Sequence, residues 1–440
     1  MRIAYFTDCY MPEINGVVTS IESHTRLLAE RGHEILIICP KYAESFVDDR
    51  PGINVARYRS FSFITNKATR VALPSMVSLV QRLRRFDPDI VHVQTPLSVG
   101  VIGLLATKVL RLPNVQTYHT YIPDFMQYIE PARILRLDEL SERVTDSYVF
   151  ERWIESGVWR RIVRSRDFLE EHTDELLDEL IGISVEVAEK VAEKEQHELT
   201  TRFAWRYTRA IYNRADLVIT PSSTLKRELL RHGVTVPVDY LSNGLDLSLV
   251  VPKESWEPRR RMLHAGRLGF EKNVDVVIKA FARIRADIPG WELHIAGDGP
   301  ARESLERLSE RLGMQDVVHF LGFVDRSTLA ASYRDYDLFV TASTIETQGI
   351  VLLEAMATGL PVIGVRALAI PELVRAGRNG IIVPPGDVQG IAEAMHRLTF
   401  DDALRERFGR TSRQDVARHD LAAVVTQLET LYQQTIAARG

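Results

Sequence analysis

Short apolar segments alternate with longer amphipathic ones along most of the chain. Apolar runs without alternation, such as residues 35–38, are typical of strands buried on both faces. The intervening segments repeat apolar residues at helical spacing, and this rhythm predicts parallel sheets covered by helices. In the first half we expect strands at 2–6, 34–39, 90–93, 115–118, 216–220 and 238–241, and helices at 17–31, 74–86, 97–110 and 222–232.

The rhythm restarts after a polar, proline-containing stretch, and we expect a linker between two domains near 247–258. Beyond this stretch we expect strands at 261–264, 291–296, 317–321, 337–341, 361–365 and 381–383, and helices at 274–287, 349–358 and 420–438. The fold class is therefore α/β, with two open, doubly wound parallel-sheet domains. We place the N-terminal domain at 1–250 with a helical insertion at about 130–205, the C-terminal domain at 251–418, and a helix at 419–440 that could cross back to the N-terminal domain. Ligands of such sheets bind at the carboxyl ends of the strands, so we expect the active site in the cleft between the domains.

Composition and charge indicate an ordinary globular protein and argue against nucleic-acid-binding, disulfide-rich and membrane-spanning classes. The 440 residues are 45% apolar and 26% charged, which is enough to build globular cores. A formal net charge of -4 argues against a nucleic-acid partner. Two cysteines form no disulfide framework, and no apolar run reaches the roughly 20 residues of a membrane span. We expect a cytoplasmic protein that is soluble or lies on the inner face of a membrane.

Two glutamates flank the start of the predicted helix at 349–358. Glu346 lies in the preceding loop and Glu354 on the second helical turn. The first N–H groups of a helix bind anions, so phosphates could lie at Gly349 while Glu354 reaches ribose hydroxyls. Two glutamates at this spacing also arise by chance.

Three further positions follow predicted strands. Arg267 and Lys272 lie in a glycine-containing loop and could clamp a diphosphate, or be ordinary solvated loop charges. Gly16 precedes a helix, where it permits close approach to a ligand or simply serves a turn. The dinucleotide pattern G-x-G-x-x-G is absent. His119 ends a strand, which favours a site role over the structural role usual for a lone histidine.

Together with the runs at 6–20, 214–222, 243–246 and 297–300, these motifs resemble the retaining nucleotide-sugar glycosyltransferases of family 4, whose architecture is GT-B. The resemblance implies two Rossmann-like domains, of which the N-terminal one binds the acceptor and the C-terminal one binds the nucleotide sugar. It also implies transfer of a hexosyl group from a UDP- or GDP-sugar. It implies that Arg267 and Lys272 neutralise the donor diphosphate, that Glu354 binds ribose, and that His119 contacts the transferred sugar. The resemblance further implies that the loop at Val324 contacts the base and that Gly16 lies against the diphosphate. The sugar and phosphates would be held by Glu346, Gly349, Ile350 and Val351.

The chain departs from the common family pattern at two places. Gln348 replaces an aromatic residue, and Asn15 replaces the first residue of a double glycine. The Glu-Thr-Gln-Gly form is similar to the branch that glycosylates diacylglycerol and related lipids. A membrane lipid is therefore the expected acceptor, and a soluble sugar, polysaccharide or metabolite is the alternative. A sugar-nucleotide epimerase and a non-catalytic nucleotide-binding protein are remote alternatives.

No metal cofactor is expected. The pairs Asp87–Asp89 and Asp335–Asp337 could be Mg²⁺ ligands, but they lie at the start of predicted strands, where aspartates more commonly close turns. Basic, aromatic-containing segments at 75–86, 153–164 and 203–207 suit an anionic membrane surface. The segment at 75–86 could equally pack its apolar face on the sheet. The insertion could mediate oligomerisation or cover an acceptor pocket.

Overall fold

The computed structural model describes residues 1–42, 48, 50–62, 70–72, 74–125 and 193–439. They form two compact units. The first unit comprises Met1–Thr220, Lys226–Asp239 and Thr430–Gly440, and the second comprises Pro221–Leu225 and Tyr240–Glu429. The stretch at 247–258, expected as a linker, belongs to the second unit. Most of the expected insertion, 130–192, lies outside the described residues.

The first unit is built on a seven-stranded sheet. The strands are β1 Arg2–Phe6, β2 Glu34–Pro40, β3 Ile53–Tyr58, β6 Ile90–Val93, β7 Asn114–Thr117, β8 Leu217–Thr220 and β9 Val238–Tyr240, with a separate antiparallel hairpin of β4 Ser60–Ser62 and β5 Arg70–Ala72. The strand order is β3-β2-β1-β6-β7-β8-β9, and the five strand pairs from β3 to β8 are parallel. The helices are α1 Gly16–Glu30, α2 Met76–Phe86, α3 Ser98–Leu110, α4 Ile122–Phe125, α5 Glu193–Tyr212 and α6 Ser223–Arg231, whose first residues belong to the second unit.

The second unit is built on a six-stranded sheet. Its strands are β10 Arg261–Ala265, β11 Glu292–Ala296, β12 Val318–Gly322, β13 Leu338–Val340, β14 Val362–Val365 and β15 Gly380–Val383. The strand order is β12-β11-β10-β13-β14-β15, and all five pairs are parallel. Its helices are α7 Val274–Ile284, α8 Arg302–Arg311, α9 Arg326–Ser332, α10 Ile350–Thr358, α11 Ile370–Leu373, α12 Val388–Phe400 and α13 Asp402–Val416, and α14 Leu421–Ala437 ends in the first unit.

The predicted α/β class is confirmed, and every predicted strand is present within one residue at each end. Residues 3–6 of β1 and 35–40 of β2 are buried throughout, as expected of strands covered on both faces. The strand β3 escaped prediction because Asn54 and Arg57 interrupt its apolar residues. Only Ile53 and Ala56 of its six residues are buried, so its sequence carries no continuous apolar run.

Two of the segments considered for membrane contact turn apolar side chains inward. Leu79 and Leu83 of α2 are buried, so this helix packs its apolar face in the first unit, as the alternative interpretation expected. Phe203 and Trp205 of α5 are also buried, so the suggested aromatic membrane contact at 203–207 is wrong for these two rings. Within the described part of the chain, no helix has the length and apolar character needed to cross a membrane.

Aspartates close the turns that begin two central strands. The carboxylate of Asp89 accepts the backbone N–H of Arg2 at 2.7 Å, just before β6. The carboxylate of Asp337 accepts the N–H groups of Arg259 and Arg261, each at 3.1 Å, just before β13, and lies 3.5 Å from the Lys253 ammonium. These bonds explain the aspartates at both predicted turns.

A buried carboxylate joins the exits of β1 and β6, where the strand order reverses. Asp8 accepts hydrogen bonds from the Thr95 and Ser98 hydroxyls at 2.7 and 2.9 Å, and from the Val99 N–H at 2.6 Å. Further bonds come from the N–H groups of Leu97 and Gly100. Asp8 therefore binds the N-terminus of α3, where a negative charge is favoured.

We predict that Asp8→Asn lowers the free energy of unfolding by about 1–3 kcal/mol, because its amide group cannot accept from all of these donors. Urea unfolding of the full chain, followed by circular dichroism, measures the change. The control is Asp87→Asn at the end of α2, whose side chain is 82% exposed. Equal stability of the two variants would contradict the proposed anchoring by Asp8.

Candidate active site

The loop after β10 carries the first two predicted site residues. Arg267 is 55% exposed and forms an ion pair with Glu271. Lys272 ends a short 3-10 helix, and its Nζ lies 2.6 Å from Oε1 of Glu346 in the loop after β13. Two strands that are neighbours in the sheet thus bring Lys272 and Glu346 together from positions 74 residues apart.

The electrostatics of this ion pair favour the ionised form of Glu346. Burial opposes ionisation of Glu346, but the Lys272 ammonium outweighs it and holds the pKa of that carboxyl below its usual value. The Lys272 side chain is 18% exposed. An ammonium has three donors, so Lys272 can bind an anion while it remains bonded to Glu346.

The helix α10 begins beside this ion pair. Gly349 precedes it with φ of 85°, in the left-handed region that favours glycine. A Cβ there would lie 2.3 Å from Cδ1 of Leu352 and 3.6 Å from Oε2 of Glu346. The first N–H groups of α10, at Gly349, Ile350 and Val351, have no acceptor within the helix. The structure therefore places a helix N-terminus next to Lys272 and Glu346.

Glu354 lies one turn further along α10 and is buried. Its carboxylate accepts the Tyr333 hydroxyl at 3.2 Å and faces Nε of Arg326 at 3.4 Å. Burial raises the pKa of Glu354, although Arg326 and Tyr333 oppose this effect. Sequence reasoning missed Arg326 and Tyr333. The only sequence feature that could have indicated either residue is that Arg326 follows the loop of Val324 by two positions. Val324 itself is half-buried against the core of this unit.

The buried side-chain amide of Gln348 connects the loop between β13 and α10 to the segment at 242–243 of the second unit. Oε1 of Gln348 accepts the Asn243 N–H at 2.9 Å, and its Nε2 donates to the Ser242 hydroxyl at 2.7 Å. The same hydroxyl lies 2.9 Å from Nδ1 of His419. An aromatic residue could not replace both bonds, so the departure at Gln348 has a structural partner in Ser242 and Asn243.

The first unit holds the two remaining predicted residues. Gly16 is exposed at the start of α1, where the Asn15 side chain accepts the N–H of Val18 at 2.9 Å. His119 follows β7 and is buried, with Nε2 at 2.6 Å from Oε1 of Gln94. Burial lowers the pKa of His119 to about 3, so the imidazole is neutral at physiological pH. A neutral imidazole can exchange hydrogen bonds with a sugar hydroxyl without adding charge.

Comparison with known protein families matches both halves of the chain. The family described as "Glycosyltransferase Family 4" matches residues 14–194 and 172–249, more than half of the chain. The family described as "Glycosyl transferases group 1" matches residues 251–415. The second match contains Arg267, Lys272, Glu346 and Glu354.

Individual proteins agree with these matches. The sulfoquinovosyl transferase SQD2 of Arabidopsis thaliana is 26% identical, and the alignment covers 97% of this chain and 72% of that protein. The alpha-monoglucosyldiacylglycerol synthase of Streptococcus pneumoniae is 27% identical, with 82% of this chain and 70% of that protein covered. The structure of sucrose-phosphate synthase from Thermosynechococcus elongatus is similar in fold, with a TM-score of 0.70, 19% identity and 99% of each chain covered.

The motifs, the paired parallel sheets and the family matches agree with one another. The resemblance seen in the sequence is thereby confirmed. The chain belongs to Glycosyltransferase Family 4, has the GT-B fold of two Rossmann-like domains, and is a hexosyltransferase.

Proposed function

We propose that the protein transfers a hexosyl group from a UDP- or GDP-sugar to a hydroxyl group of a membrane lipid, such as diacylglycerol or a glycolipid. The observation that carries the proposal is the cluster of Lys272, Glu346 and the N-terminus of α10 at Gly349. The lipid acceptor is supported by the similarity to an alpha-monoglucosyldiacylglycerol synthase over 82% of this chain. A soluble sugar, polysaccharide or metabolite is the alternative acceptor.

The cluster suits the departure of a nucleoside diphosphate. When the anomeric carbon–oxygen bond breaks, the electron pair goes to the diphosphate, and its negative charge increases. Lys272 and the N–H groups at Gly349 then gain more attraction to the leaving group than to the bound donor, which lowers the barrier. Arg267 follows the same strand as Lys272 and can exchange part of its ion pair with Glu271 for a phosphate oxygen.

The other site residues have positioning roles in this proposal. Glu354, buried and bonded to Tyr333, binds ribose hydroxyls of the donor. The loop at Val324 contacts the base, and Gly16 lets backbone approach the diphosphate. Neutral His119 contacts a hydroxyl of the transferred sugar. With no side chain assigned as a covalent nucleophile, we propose front-face displacement. The acceptor oxygen bonds to the anomeric carbon on the face from which the diphosphate departs, and the hydroxyl proton passes to an oxygen of that diphosphate. The transition state has oxocarbenium character, and the configuration is retained.

We also propose that the reaction needs no metal ion. The cations and the helix N-terminus supply the positive field that a divalent ion would otherwise give to a diphosphate. The aspartate pairs considered for Mg²⁺ begin strands, and Asp89 and Asp337 already accept backbone N–H groups there.

We propose that the helix α2 attaches the protein peripherally to an anionic membrane surface. Its apolar face is buried, whereas Arg82, Arg84 and Arg85 are exposed. Attraction to an anionic surface would therefore be electrostatic rather than by insertion, at about 1 kcal/mol for each arginine near the membrane. Such docking would bring the enzyme to its acceptor on the cytoplasmic face.

The acceptor is tested by incubating the full chain with UDP- and GDP-hexoses and diacylglycerol vesicles, with products identified by mass spectrometry. We expect a hexosyl lipid, formed faster in anionic than in neutral vesicles. Replacing Arg82, Arg84 and Arg85 together with glutamine should remove this preference.

The matched control replaces the exposed Arg283, Arg307 and Arg311 of the second unit with glutamine and should keep the preference. Transfer only to soluble sugars or metabolites would favour the alternative acceptor. Donor hydrolysis or epimerisation without transfer to an acceptor would contradict both the lipid and the soluble-acceptor proposals.

The proposed role of the cations is tested by Lys272→Ala and Arg267→Ala. By analogy with other groups that stabilise a developing anion, we expect each change to lower kcat by roughly 10²–10³. Steady-state kinetics with saturating donor measures the effect. The control is Lys279→Ala on α7, an exposed lysine paired with Asp275, which should keep its activity. Full turnover by Lys272→Ala would remove that residue from the mechanism.

Metal independence predicts that the transfer rate is unchanged after treatment with excess chelator and desalting, because the protein supplies the positive charge. The rate is measured before and after the treatment. A strong loss of rate that Mg²⁺ or Mn²⁺ restores would contradict this proposal.

A further inference from the structure

Two neighbouring strands of the second sheet carry three metal-ligand side chains on one face. Glu292 and His294 are two residues apart on β11, so they project to the same side. His319 on the edge strand β12 is the register partner of His294. The nearest ligand atoms of the three side chains all lie within 4.8 Å of one another. Strand pairing, rather than a loop, fixes this arrangement.

The distances are close to those of a bound ion. Nε2 of His294 lies 3.1 Å from one carboxylate oxygen of Glu292, and Nε2 of His319 lies 3.9 Å from the other. In a tetrahedral zinc site with bonds of about 2.0–2.1 Å, neighbouring ligand atoms are about 3.3 Å apart. Only a small rotation is required, and His319 has room for it because its side chain is 38% exposed.

A buried hydroxyl holds one ligand in orientation. The Tyr336 hydroxyl lies 3.1 Å from Nδ1 of His294, and the tyrosine is only 5% exposed. This bond leaves Nε2 of His294 directed to Glu292. Histidine ligands of metals typically bond their second ring nitrogen to such an outer partner, which fixes the tautomer and the ring plane.

One neighbour opposes a cation. Nε of Arg261 lies 3.4 Å from Oε2 of Glu292. The arginine side chain is 47% exposed, so it can move toward solvent when an ion binds. Its positive charge would still weaken the affinity, and this gives a variant with an effect of opposite sign.

We propose that Glu292, His294 and His319 bind one Zn²⁺ ion through two imidazole nitrogens and a carboxylate oxygen, with water completing the coordination. Two imidazoles and a carboxylate suit zinc. Glu292 and His319 lie near the amino-terminal ends of β11 and β12, and His294 lies at the centre of β11, whereas Lys272 and Glu346 follow carboxyl ends of strands. The ion therefore stabilises the edge of the sheet and does not take part in glycosyl transfer.

The test uses the full chain, freed of metal by chelator and desalting, in calorimetric titration with ZnCl₂. We expect one tight site that His319→Gln weakens at least tenfold. Tyr336→Phe should weaken binding by about tenfold, the lower end of the range for outer partners, and Arg261→Gln should strengthen it. His396→Gln, at an exposed histidine of α12, is the matched control and should bind zinc like the wild type.

Two further measurements guard against misfolding and against binding elsewhere. Zinc should raise the melting temperature of the wild type and of His396→Gln, but not of His319→Gln, whose metal-free melting should match the wild type. With Co²⁺ as the probe, His319→Cys should restore binding and add a thiolate charge-transfer band. Equal zinc affinity of wild type and His319→Gln, or no zinc binding by the wild type, would overturn the proposal. Either result leaves the glycosyltransferase proposal intact, because that proposal is judged by product formation in chelated protein.

Discussion

Parallel pairing is the constraint on which the rest of the structure depends. When all strands of a sheet run the same way, every strand exit reaches the same edge. Residues far apart in sequence, such as Lys272 and Glu346, then meet through the pairing of β10 with β13. In the first unit, the same constraint brings Asp8 after β1 to Thr95 after β6. The chemistry of each unit is thus assembled from loops that the sheet positions.

Glu346 and Glu354 show how neighbouring groups determine the ionisation of a carboxyl side chain. Glu346 is partly buried and Glu354 is buried. The Lys272 ammonium nevertheless lowers the pKa of Glu346, whereas burial dominates at Glu354 and raises its pKa. Glu346 is therefore ionised and holds the Lys272 ammonium in place. Glu354 has a hydroxyl and a more distant guanidinium as partners, which suits hydrogen bonding to neutral hydroxyls.

The sequence was sufficient to predict the strands buried on both faces, because their apolar runs reflect burial that any parallel sheet requires. It was insufficient for the edge strand β3, where half-exposed side chains carry no comparable pattern. Arg267, Lys272, Glu346 and Glu354 could be selected because strand exits and a helix start mark them. Tyr333 and Arg326 could not, since their importance comes only from contacts with Glu354 that spacing along the chain does not encode.

The bonds of Gln348 limit how this enzyme can be redesigned. The side chain satisfies the Asn243 N–H and the Ser242 hydroxyl inside the second unit. Transplanting the aromatic-containing motif of another family member would leave the buried Asn243 N–H without that partner, at a cost of about 1–3 kcal/mol. The Ser242 hydroxyl would lose one bond but keep its bond to His419. Chimeras that exchange donor-binding segments must therefore carry residues 242–243 and 346–349 together as one cassette.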